Sequence, residues 1–220
     1  MVYAAPRGPS TMPVPARSAQ TLGLTETLTD TTRMALPDEV IFEIQTHVRG
    51  GFEDEDDIFG IIADEAFELS GPERDEARSE IARIWAEHEA EKASWPAVTD
   101  CDRLDSAFRA LSRMGIICLQ NAGLTQSDGY QDFREALSRH PNPMQVQGYC
   151  FFHGQDLARA VNGQGLYIAF GPSDPQQEEQ EGPRIGKLVH AELERVGLSV
   201  VWDGTFDQRI FVPKLRWQQR

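Results

Sequence analysis

Long hydrophobic runs are missing from this 220-residue chain. Its longest apolar stretches, 116–119 and 166–170, have strand length and fall far short of the roughly 18 residues that span a bilayer. No membrane partner is expected. Cysteine is scarce: Cys101, Cys118 and Cys150 are an odd number, widely spaced, which argues against a disulfide framework and for a reducing compartment. None of Asn121, Asn142 and Asn162 opens an Asn-x-Ser/Thr sequon, and the first residues contain no apolar core of signal-peptide type. A cytoplasmic location is the expectation. Walker, Gly-x-Ser-x-Gly and His-Glu-x-x-His patterns are all absent, and the acidic run 53–57 lacks the spacing of a calcium loop. No cofactor is expected. No metal is expected either, since Cys150 and His153 have no second paired motif and would face opposite sides of a strand.

What is present is acid, and it is unevenly placed. Residues 36–95 carry 18 acidic and 5 basic side chains, a net of −13, out of −14 for the whole chain. Residues 96–220 are close to balanced, with 15 acidic and 13 basic. Phosphate binding needs Lys and Arg clusters that 36–95 lacks, so nucleic acid is not expected as a partner. The same charge would attract a basic protein.

Periodicity divides the chain into three parts. Residues 1–35 form a Pro-rich tail with no acid before Glu26 and are expected to be disordered. Residues 36–95 read as an acidic helical subdomain. Val40, Ile41, Ile44 and Val48 share one helical face, Ile58, Ile61, Ile62 and Phe67 a second, and Ala77, Ile81, Ile84 and His88 a third. Gly50-Gly51 and Ser70-Gly71-Pro72 mark their ends.

From 96 to 220 strands and helices alternate. Asp100 is the expected N-cap of a fourth helix and Gly115 its left-handed C-cap. Strands are expected at 116–119, 149–153, 166–170, 199–202 and 209–212, with helices at 131–138, 155–161 and 183–196 and a mobile loop at 171–182. The fold class is α/β (α+β): a mixed sheet of about five strands with flanking helices, preceded by the helical subdomain.

The polar residues that end the apolar runs point to a site. Asn121, Gln126, Asp128 and Tyr130 follow one expected strand, and His153, Gln155 and Asp156 follow the next. If those strands are parallel neighbours, both loops lie at the same end of the sheet, where α/β folds place their sites. His153, Asp156 and Asp128 are the candidate catalytic residues: an Asp beside a His fixes its tautomer and raises its basicity. Asn121, Gln126, Gln155 and Tyr130 are the candidate binding residues, suited to a small polar ligand. As caps, Asp156 and Ser127 would need no functional role at all.

Several runs are distinctive together: Ala93-Ser94-Trp95-Pro96, Thr99 to Leu104, Gln120-Asn121-Ala122-Gly123, Thr125-Gln126-Ser127-Asp128-Gly129, Phe152-His153-Gly154-Gln155-Asp156, Gly165 to Gly171, and Trp202-Asp203-Gly204. They resemble a mostly bacterial family of uncharacterised proteins, a domain of unknown function, over about residues 37–217. The resemblance implies one domain and brings no activity, cofactor or catalytic residue. The leading expectation is a binding or regulatory protein, of the immunity type, that uses its acidic helices on a basic protein partner. The alternative is a small hydrolase or transferase built on His153, Asp156 and Asp128.

Overall fold

A computed structural model describes residues 35–220. The tail expected over 1–35 lies, but for Ala35, outside the described residues. Helix α1 (Asp38–Gly50) starts after Pro37 and ends where Gly51 turns left-handed at φ 78°. Helix α2 (Glu55–Gly60) is capped by Asp54, whose carboxylate accepts the N–H groups of Asp56 and Asp57. It continues as a π-helical turn, Ile61–Ala66, before α3 (Gly71–Lys92). Val40, Ile44, Ile58, Ile62, Ala77, Ile81 and Ile84 bury one another, so these three helices own an apolar core.

Helix α4 (Asp100–Arg113) leads into strand β1 (Ile116–Leu119), α5 (Gln126–Arg139), β2 (Gly148–Phe151), α6 (Gly154–Val161), β3 (Leu166–Pro172), α7 (Glu178–Arg195) and β4 (Ile210–Val212). The sheet order is β1-β2-β3-β4, with β1 and β2 parallel and both later pairs antiparallel. The mixed α+β sheet expected from the sequence is therefore present.

Side chains alternate along the strands and fill both faces. Ile117, Leu119, Tyr149, Phe151 and Ala169 meet Phe133 and Tyr130 of α5. Ile116, Cys118, Cys150, Ile168 and Phe170 meet α4, α6 and α7 through residues such as Leu104, Leu111, Leu157, Ile185 and Val189. No helix among the described residues is long and apolar enough to cross a membrane.

Four local expectations are corrected. The sheet has four strands, because 199–202 contributes only a single bridge, Val201 to Phe211. Val201 is 57% exposed and has little to bury, while the Trp202 indole N–H turns to the carbonyls of Thr205 and Gln208. The N-cap of α4 is Thr99, not Asp100: Thr99 accepts the Asp102 N–H, and Asp102 accepts the Thr99 N–H in return. The same box at Thr125 and Asp128 starts α5 at Gln126, five residues before the expected 131. Finally, 171–182 is not one loop. Three acids in its first turn, Glu178, Glu179 and Glu181, favour a helix start at 178, which leaves Pro183 inside α7.

Candidate functional site

Because β1 and β2 run parallel side by side, the chain leaves both at the same end of the sheet and enters α5 and α6 there. The two exits are zipped together. Ala122 N–H donates to the Phe152 carbonyl at 2.9 Å, Gly154 N–H to the Gly123 carbonyl at 2.9 Å, and Gln155 N–H to the Leu124 carbonyl at 3.1 Å. Asn121 at φ 51° and Gly123 at φ 55° make the sharp turn that this contact requires. Gly129 completes the seat: a Cβ there would enter the ring of buried Phe151, so only glycine lets the first turn of α5 lie on the sheet. The positive dipole ends of two helices thus face one place, with the first N–H groups of α6 already taken by the loop carbonyls.

The centre of that place is a three-way polar contact. His153 Nε2 lies 2.9 Å from Asp156 Oδ2. Arg209, which directly precedes β4, reaches back with Nη1 to both Asp156 oxygens, at 3.1 and 2.9 Å. The same Nη1 is 3.2 Å from His153 Nε2. Asp156 is 1% exposed and His153 4%, so this carboxylate is buried and needs the cation that meets it. A carboxylate can only accept, which places the imidazole proton on Nε2. His153 Nδ1 is buried and has no partner among the described residues.

Around this contact opens a polar groove made of two adjoining recesses of about 590 and 330 Å³. Gln126, Tyr167 and Arg209 line both. Gln155, Asp156, His153 and Arg159 line the first, and Tyr130 the second. Gln126 donates from Nε2 to the Tyr130 hydroxyl at 3.0 Å. The guanidinium carbons of Arg209 and Arg159 lie 4.8 and 5.3 Å from the centre of the Tyr167 ring, a cation–π arrangement. Arg159 makes no ion pair among the described residues.

Five residues singled out from the sequence therefore share the groove: Gln126, Tyr130, His153, Gln155 and Asp156. Two do not. Asp128 is spent as the capping partner of Thr125, accepting its N–H at 2.8 Å and its hydroxyl at 2.9 Å. The Thr125 N–H is the main reason its carboxyl is held below the ordinary aspartate range, with the Thr125 hydroxyl next. Asn121 points away, its Nδ2 reaching Glu53 at 3.5 Å. Arg209, Arg159 and Tyr167 were not legible beforehand. Arg209 meets Asp156 from 53 residues away, a pairing that no local pattern encodes.

Chemically, the arrangement is suited to holding a ligand. His153 has one nitrogen engaged and the other buried, so it presents no exposed base, and Asp128 cannot join it while it caps α5. The chain belongs to the family described as Domain of unknown function (DUF6891), whose model matches residues 35–220. No curated protein and no solved structure matches it.

Proposed function

We propose that this member of the family acts by binding, and that the groove at the ends of β1 and β2 receives a small anionic ligand of the carboxylate or phosphate class. The observation that carries this reading is the guanidinium of Arg159, in the last turn of α6 and without an ion pair among the described residues, beside Arg209 over Tyr167. The positive ends of helix dipoles favour anions, and arginine forks match carboxylate and phosphate geometry. Gln126 and Gln155 add neutral donors at the rim.

Inorganic phosphate and citrate, each titrated at constant ionic strength, are the probes. A ligand at a hundred times its Kd stabilises the native state by about 2.7 kcal/mol. For a domain of this size that is a rise of about 5–11 °C in Tm. Arg159→Ala is expected to abolish the rise while leaving the unliganded Tm almost unchanged, since the residue is exposed. No rise with either anion, or an equal rise in the variant, would overturn the reading.

A second reading, regulation through a basic protein partner in the manner of an immunity protein, is favoured by a different observation. Phe42 is 44% exposed in a recess of about 540 Å³ shared with Phe67 and edged by Asp38, Glu39 and Glu43. An apolar floor with an acidic rim fits a basic amphipathic segment. A Lys- and Leu-rich helical peptide should bind at low salt and be released at high salt, because rim charges are screened. Phe42→Ser and the Glu39→Gln, Glu43→Gln pair should each weaken it at least tenfold. These positions are better probes than Asp54, whose carboxylate caps α2. Unchanged affinity in both variants would remove the recess from consideration.

A further inference from the structure

Cys118 of β1 and Cys150 of β2 are register partners across the parallel pair, and their sulfurs lie 3.4 Å apart. Neither side of that contact is used by the groove. Both side chains sit on the sheet face covered by α4, α6 and α7. Cys118 is half-buried and Cys150 fully buried. We infer that these two thiols form a covalent modification site that reacts with hydroperoxides and closes to a cystine.

The geometry supplies each requirement. Neighbouring strands lie about 4.7–4.9 Å apart, inside the Cα separation of about 4.4–6.8 Å that a disulfide spans, so register partners are within bridging range. Rotation of the side chains brings the sulfurs together. The two thiols are also unequal. Cys150 donates its S–H to the Cys118 sulfur, which is the main reason the Cys118 thiol is held below its ordinary value, while burial pushes that of Cys150 well up. The less buried sulfur is thus the nucleophile and the fully buried one the resolving partner.

The chemistry balances in two steps. The Cys118 thiolate attacks one peroxide oxygen; an S–O bond forms, the O–O bond breaks, and water or an alcohol leaves after taking a proton. The Cys150 sulfur then attacks the Cys118 sulfur; an S–S bond forms, the S–O bond breaks, and the departing hydroxide leaves as water with the Cys150 proton. Both cysteines are oxidised by one electron each, and the peroxide is reduced. Because the resolving thiol already touches its target, the sulfenic acid is short-lived. Cys101 provides a control within the chain: it is buried, its sulfur accepts the Gln218 N–H, and burial pushes its thiol up to about 12.

The test is intact-mass analysis of the full chain after exposure to hydrogen peroxide, denaturation and alkylation with N-ethylmaleimide. One alkylated thiol in place of three is expected, with the lost pair mapping to Cys118–Cys150 and restored by dithiothreitol. Cys150→Ser should leave a sulfenic acid on Cys118 that dimedone traps, and Cys118→Ser should keep both of its remaining thiols alkylatable. Met144, 97% exposed, reports the oxidant dose through its sulfoxide. If Met144 is oxidised in the wild-type protein while all three thiols still alkylate, or if the bridge includes Cys101, the inference is overturned.

Discussion

Asp156→Ala is expected to lower stability by about 3 kcal/mol, at the lower end of the range for breaking a buried ion pair. For a domain of this size that corresponds to roughly 6–12 °C in Tm. The effect follows from what is left behind. Asp156 is 1% exposed and accepts both Arg209 contacts and the His153 Nε2 contact. Its removal strands a guanidinium and an imidazole N–H in a site built for a carboxylate. Arg209 is 30% exposed and can turn part of its charge to water, which keeps the loss from the upper end of the range. Removing both partners should behave differently. Asp156→Leu combined with Arg209→Met replaces the pair by apolar groups and is expected to recover the part of the stability lost to the stranded guanidinium, with the His153 N–H still unpaired, and to lose any anion affinity of the groove. Thermal denaturation followed by circular dichroism checks the first claim. A single-variant loss below about 1 kcal/mol would show that the pair does not brace α6 against β4.

The distinction between local and remote information explains which features could be read from the chain. Helix ends at Gly51 and Gly115 and the apolar faces of α1 and α4 depend on residues within a few positions, and periodicity exposes them. The loop pair 121–129 and 153–156 was also accessible, because two consecutive strands with a helix between them favour parallel pairing. The capping boxes at Thr99 and Thr125 were written in the sequence as Thr-x-x-Asp, but each competes with an acidic residue or a glycine nearby that also signals a boundary. The fifth strand is a different kind of case. Val200 and Val201 have the branched side chains of a strand, yet the chain turns away after one bridge and Trp202 binds the loop that follows. The groove itself depends on Arg209, which the β3–β4 pairing brings beside Tyr167 and Asp156. Only the finished sheet places it there.

Phe152→Ala is expected to have the largest effect in the core, about 3–5 kcal/mol, the range for deleting a buried aromatic ring. Phe152 has no exposed surface and directly follows β2. Its ring lies 6.4 Å from Phe108 of α4, 6.3 Å from Phe52 and 5.6 Å from Trp217, so it touches the sheet layer, the segment after α1 and the C-terminal segment at once. Trp217 in turn donates its indole N–H to the Gly50 carbonyl at 3.2 Å, which ties the last residues to the end of α1. The cavity left by the ring should therefore loosen the C-terminal segment before it unfolds the sheet. Amide exchange separates this from a general loss of stability. Arg216 N–H is held by Asp100 and Gln218 N–H by Cys101, and both should exchange faster in the variant under native conditions. Phe133→Ala is the control, since Phe133 packs 4.5 Å from Tyr149 on the opposite sheet face. It should lower global stability by a similar amount without selectively releasing Arg216 and Gln218. Equal exchange at those two amides in both variants would mean that Phe152 contributes only bulk to the core and does not join the helical region to the sheet.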